Sequence, residues 1–181
     1  MSTQKSPHTS PRARALAWLI PAQWEMVWKA SHAERGVIPG ADAIPGRTHP
    51  DLGKKLQTLA PEGQLFVTLL VLRRIEHFRA LARAGKFECL IRIGAGQESL
   101  SPELQSELAE QFHIDWLAAR RMLGLEGHVG DKPWAEETPD EQLNDRLLVN
   151  KWCALWHYCA QGGPDGSDED LKALVEYVRA G

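Results

Sequence analysis

Four prolines in this chain stand at the head of stretches with helical apolar spacing, and three of them follow a hydroxyl residue: Ser10-Pro11, Ser101-Pro102 and Thr138-Pro139, with Ala60-Pro61 the fourth. Proline at a first helical position gives up an N–H that would have no intrahelical partner, and a preceding Ser or Thr can cap one of the amides that follow. Thr138, Pro139 and Glu141 together fit a capping box, which makes this the best-marked boundary in the chain. Its helix is expected to run to about Gln161, where Gly162 and Gly163 end it. Ser167 and Asp170 form a weaker, acidic version of the same signal for a last helix through about Arg179.

Between these anchors the apolar spacing fills in the rest. A short helix is expected from Pro11 to about Ile20, broken at Pro21, then an amphipathic helix over Gln23 to Ala33 carrying Trp24, Met26, Val27 and Trp28 and closed by Gly36. Residues 36–50 hold three Pro and three Gly, a loop long enough to be of functional interest. A short helix over Asp51 to Ala60 and a long one from Pro61 to about Ala84 follow, the latter stopped by Gly85. Lys86 to Ile93, with Phe87, Cys89, Leu90, Ile91 and Ile93, has the length and composition of one short strand or a further helical turn. Gly124 to Pro133 reads as a connection. The expected architecture is all-α with room for one short strand: an irregular bundle of seven or eight helices in a single domain over residues 10–181, preceded by a flexible tail over residues 1–9.

The totals agree. A chain of 181 residues that is 43% hydrophobic and carries seven Trp can bury a core without disulfides. Cys89, Cys153 and Cys159 are an odd, sparse set, and Met1 to Arg14 lacks the apolar region of a signal peptide. The longest apolar run, Leu65 to Leu72, is far short of a membrane span and ends on Arg73 and Arg74. A cytoplasmic protein without membrane contact is therefore expected.

Charge is unevenly distributed along the chain. Residues 1–92 carry 14 Lys and Arg against 7 acids, whereas residues 93–181 carry 7 against 17. Such polarity points either to an electrostatic partner or to two halves that neutralise each other. The basic half concentrates its charge in Arg73, Arg74, Arg79, Arg83, Lys86 and Arg92, of which Arg73, Arg79 and Arg83 share one polar helix face. Arginine suits phosphate because its planar fork binds two oxygens at once. The leading expectation is a non-enzymatic helical subunit or adaptor. It would contact nucleic-acid backbone through these residues, without sequence readout, and dock a protein partner through its tryptophan-rich, acidic second half.

A second candidate is Gln105 to Leu123, QSELAEQFHIDWLAARRML, with Leu108, Ala109, Phe112, Ile114, Ala119 and Met122 at apolar or small positions. Its outline resembles the DNA-binding helix-turn-helix and covers about a tenth of the chain. The resemblance implies a turn at His113, a second helix from Asp115 in the major groove, and Arg120 and Arg121 reading phosphates or a guanine edge, as in a transcription regulator. His113 stands where such turns favour glycine, and Glu103, Glu107, Glu110 and Asp115 would oppose phosphate. A third reading is a purely protein-binding acidic module.

Catalytic and metal signatures are sparse. Arg146, Asn150, Cys153 and His157 fall on one helical face, but Cys153 and His157 lack the companion ligands of a zinc site and the orienting acid of a nucleophile. Glu110 and His113 make a single E-x-x-H pair where a dimetal bundle uses two, and no phosphate-binding or dinucleotide glycine pattern is present. No cofactor and no metal are expected. If the basic helix contacts nucleic acid, an oligonucleotide titration should show affinity falling steeply with salt. Replacing Arg73, Arg79 and Arg83 together by Glu should abolish it, whereas a helix-turn-helix regulator should instead prefer one duplex sequence.

Overall fold

In the computed structural model, residues 9–40, 48–125, 127–128 and 130–181 are described. The tail expected over residues 1–9 lies outside them except for Thr9. Helix α1 covers residues 11–34 without interruption: α-helical over Pro11–Ala22, π-helical over Gln23–Lys29 and α-helical again over Ala30–Glu34. Then come α2 (Pro61–Arg83), α3 (Phe87–Gly94), α4 (Pro102–Met122), α5 (Pro139–Gln161) and α6 (Glu169–Arg179). Single 3-10 turns occupy Leu56–Thr58 and Trp134–Glu136. Two-residue segments β1 (Ile38–Pro39) and β2 (Thr48–His49) pair in parallel and tie the ends of the long loop together.

The boundaries marked by proline hold. Ser10 Oγ accepts from the Ala13 N–H and Ser101 Oγ from the Leu104 N–H, both at 3.2 Å. At the head of α5 the Glu141 N–H donates to Thr138 Oγ1 while the Thr138 N–H donates to the Glu141 carboxylate at 2.6 Å. Gly162 closes α5 in the left-handed region, φ 79°. At α6 the cap is Asp168, whose carboxylate accepts from the Asp170 and Leu171 amides, rather than Ser167.

The all-α class is correct, but among the described residues there are six α-helical rods, not seven or eight. Pro21 does not break the first helix. Its missing N–H and its ring disturb the local ladder, and the backbone continues in the wider π register from Gln23 on. The helix expected over Asp51 to Ala60 contracts to the 3-10 turn Leu56–Thr58. The segment that could have been a strand is α3, because its apolar residues Phe87, Leu90 and Ile91 are spaced to share one helical face. The turn implied at His113 is not formed: α4 is straight helix through that residue, so the chain has no helix-turn-helix there.

Helix α5 is the centre of the bundle and packs against α1, α3, α4 and α6. Its Trp152 and Trp156 are fully buried, with Phe78 of α2 5.2 Å from each ring. Phe87 of α3 and Phe112 of α4 complete the cluster at 5.3 Å from Trp156 and 6.5 Å from Trp152, mostly edge to face. Among the described residues no helix is long and apolar enough to cross a membrane.

Helix α3 crosses α5 so closely that only glycine fits at its last position. A Cβ on Gly94 would fall on the Cys153 carbonyl and 2.9 Å from the His157 Cβ, neither of which is the free end of a flexible chain. Gly94→Ala should therefore force the two helices apart and cost about 3 kcal/mol, a loss on the order of 10 °C in Tm, measurable by thermal denaturation followed by circular dichroism.

Candidate ligand cavity

The π-helical segment of α1 forms one wall of a cavity of about 490 Å³. Trp24 and Trp28 stack with ring centroids 4.1 Å apart, and Trp28 continues to His32 at 4.3 Å and to His49 of β2 at 5.0 Å. The Trp24 indole N–H donates to the Lys54 carbonyl at 3.1 Å, fixing the ring against the loop that follows β2. Helix α2 contributes Phe66, Val67, Leu70 and Arg74, α4 contributes His113 and Trp116, and α5 contributes Asn144, Asp145 and Leu148. The volume falls in the range of small-molecule sites, but polar and charged side chains, among them Arg35, Asp51, Arg120 and Glu141, line it beside the rings, and it is open to solvent. Departures into π geometry are frequent where a helix serves such a site.

Arg74 is the most unusual residue of this wall. It is 2% exposed, and its guanidinium lies over the Phe112 ring at 4.5 Å and further from Trp152, at 6.0 Å. Among the described residues it makes no hydrogen bond, and its Nε and Nη1 are buried without a partner. Burial pulls its pKa down to about 10, against the opposing fields of Asp145 and Asp115. It remains charged at neutral pH. A buried cation held only by ring faces and unbonded carboxylates is costly, since aromatic contact returns a small part of what hydration gave.

At the other side of the cavity His113, 3% exposed, faces two carboxylates. Its Nδ1 lies 3.2 Å from Glu137 and 3.5 Å from Asp145, while its Nε2 sits 2.7 Å from the Lys132 carbonyl. Burial disfavours the imidazolium, but the Asp145 contact, the Lys132 carbonyl and the Glu137 charge outweigh it and raise the His113 pKa. Burial raises the Glu137 carboxyl as well, only partly opposed by His113. The donor atoms of His113, Glu137 and Asp145 all lie within 4.8 Å of one another, so these three residues could hold a metal ion. His32 and His49, by contrast, are lowered chiefly by burial and are neutral at pH 7.

The six basic residues expected to face nucleic acid are not brought together on one free surface. Arg74 belongs to the interior. Arg73 pairs with Asp115 at 3.3 Å, Lys86 with Glu107 at 3.3 Å and Arg92 with Glu98 at 3.2 Å. Arg79 donates to the Tyr177 hydroxyl at 2.8 Å and lies over its ring, and Arg83 packs alongside Gly181. With Arg14 on Asp170 at 2.8 Å, the basic first half and the acidic second half are joined by several ion pairs. Arg120 is bound to Asp131 at 2.6 Å and lies over Trp116, while Arg121 stands on the surface at the end of α4. Two of the second-half tryptophans, Trp152 and Trp156, are core residues.

No motif in the sequence groups Arg74, His113, Asp145 and Glu137 together. The signal is the occurrence of polar residues on apolar stripes. Arg74 stands four residues after Leu70 and four before Phe78, and Asp145 stands three, four and seven before Leu148, Val149 and Trp152. Comparison with protein-family models, with curated proteins and with solved structures gave no match.

The cysteines of α5 take no part in this chemistry. Burial pushes the Cys153 and Cys159 thiols up to about 12, so neither is a thiolate near neutrality. A thiol-reactive chromogenic disulfide at pH 8 should therefore titrate no more than one thiol in the native protein, Cys89, and three after denaturation.

Proposed function

We propose that this protein binds a small organic oxyanion with a flat apolar body, held in the cavity between α1, α2, α4 and α5. The observation that carries this reading is Arg74, a buried guanidinium with unpartnered N–H groups in the wall of an aromatic cavity. A carboxylate or phosphate oxygen would supply the acceptor that Arg74 lacks, and the indoles of Trp24, Trp28 and Trp116 offer faces for an apolar ring. His32, His49 and His128 at the margin are small polar groups able to donate or accept. Glu137 and Asp145 restrict the anion to the Arg74 side, since a second negative charge beside them would be repelled.

Sequence-independent contact with nucleic-acid backbone, through Arg73, Arg79, Arg83, Lys86 and Arg92, is the weaker proposal. A phosphate bound at Arg73, Lys86 or Arg92 would compete with Asp115, Glu107 or Glu98. Docking of a protein partner stays a separate question, to which the cavity contributes nothing.

Tryptophan fluorescence tests the leading reading, because three indoles line the cavity. Titration with 1-naphthoate and with phenyl phosphate should quench emission saturably, and the neutral methyl ester of naphthoate should bind more weakly. Arg74→Met keeps the length and the apolar stem but removes the fork. It should weaken the preferred anion about tenfold to hundredfold, the loss of a charged hydrogen bond worth about 1.5–3 kcal/mol. The same substitution should leave Tm unchanged or raised, because an apolar isostere removes an unpaired buried charge. Anion affinity that survives Arg74→Met would end this reading.

A further inference from the structure

His113, Glu137 and Asp145 are brought together from three parts of the chain: the middle of α4, the residue after the 3-10 turn Trp134–Glu136, and the second turn of α5. We propose that His113 Nδ1 and one oxygen each of Glu137 and Asp145 form a binding site for a divalent transition ion of the Zn²⁺ type, open on its cavity side. This inference shares the cavity with the oxyanion reading, but metal alone is its probe.

The argument begins with the proton of His113. The Lys132 carbonyl, 2.7 Å from Nε2, can only accept, so Nε2 carries a proton. In the neutral ring Nδ1 then presents a lone pair to two carboxylates at 3.2 and 3.5 Å. Three electron-rich atoms within 4.8 Å of one another repel unless a cation lies among them. Either a second proton sits on Nδ1 or a metal ion does.

Geometry favours the ion. Ligands about 2.1 Å from a tetrahedral or octahedral centre stand roughly 3.0–3.4 Å apart, close to the two separations observed. Fixing one ring nitrogen on a backbone carbonyl while the other faces outward is how metal-binding imidazoles are oriented. A single proton leaves Glu137 Oε2 buried and without a partner. A divalent ion neutralises both carboxylates and leaves the ring neutral. An imidazole with two carboxylates and no thiolate suits Zn²⁺, Mn²⁺ or Fe²⁺ better than Cu⁺, and better than Mg²⁺, which takes oxygen ligands and water.

The consequence bears on the oxyanion. With the ion in place the triad is electrically neutral, and Arg74 loses the compensating field of Asp145. The open side of the ion and the Arg74 fork would then both attract the same ligand oxygen.

Isothermal titration of the full chain with ZnCl₂ at pH 7.5, after dialysis against chelator, tests the site. One ion per chain should bind, more tightly than Mn²⁺ and far more tightly than Mg²⁺. Glu137→Gln and Asp145→Asn, each checked for native circular dichroism, should weaken zinc about tenfold to hundredfold. Binding of Co²⁺ should give visible ligand-field absorption that changes in Glu137→Gln. In ¹⁵N spectra of the imidazole, Nδ1 should lose its proton when zinc is added. No zinc binding at 100-fold excess over protein, unchanged affinity in both variants, or a persistently protonated Nδ1 would overturn the proposal and leave a buried imidazolium. Loss of zinc in His32→Asn and His49→Asn, with Glu137→Gln unaffected, would overturn it too by placing the ion on the other histidine pair. Because no organic anion is present in any of these measurements, a failed naphthoate titration leaves the metal result standing, and the reverse also holds.

Discussion

Trp152 and Trp156 on one face of α5 are the contact on which the rest of the fold depends. Two indoles fully withdrawn from water remove several hundred Å² of apolar surface, and the gain is realised only if other elements close over them. Helix α2 brings Phe78, α3 brings Phe87 and α4 brings Phe112, each within 7 Å of an indole centroid. Helix α3 also crosses α5 closely at Gly94, where a Cβ would meet the Cys153 carbonyl.

The same cluster explains how a guanidinium can sit inside. Arg74 lies one turn before Phe78 on the buried face of α2, so whatever stands at that position is carried into the interior along with the phenylalanine. The Phe112 ring offers it an aromatic face, and Asp115 and Asp145 approach from α4 and α5 without bonding. An apolar residue would pack at least as well there. The chain thus keeps a charge where packing does not need one, beside a cavity and next to a second group of buried ionisable residues, and such departures from the economical choice cluster where proteins do chemistry.

What was legible in the sequence was local. Ser10, Ser101 and Thr138 each cap the helix that their neighbouring proline opens, because capping is settled within four residues and needs nothing from the rest of the chain. Pro21 shows where local reasoning ends. A proline normally stops a helix, yet Leu19 and Ala22 before and after it and Val27 beyond are buried against the bundle, and tertiary packing carries the rod through with a change of register. The helix-turn-helix outline implies a turn at His113, whereas Ala109 and Phe112 just before it lie buried on a continuous helix. The charge split was visible, but its meaning was not: nothing local to Arg73 or Lys86 says that Asp115 and Glu107 lie across from them.

Continuity of α1 is also what connects fold to site. The π segment begins two residues after Pro21, and within it Trp24 and Trp28 stack four residues apart, with His32 a further four on, so that one side of α1 becomes a ladder of rings facing α2. Had the helix ended at Ile20, as proline alone suggests, Trp24 and Trp28 would belong to a separate element free to pack elsewhere. Because α1 stays whole, those indoles are held rigidly against Val67 and Phe66 and opposite Arg74 and His113, across a space that the bundle leaves unfilled. A wall fixed in this way binds a ligand without first having to be ordered, so less of the contact energy is lost to immobilising side chains. Because the helix continues past Pro21, Trp24 and Trp28 stay on one rod with Leu19 and reach the cavity from it.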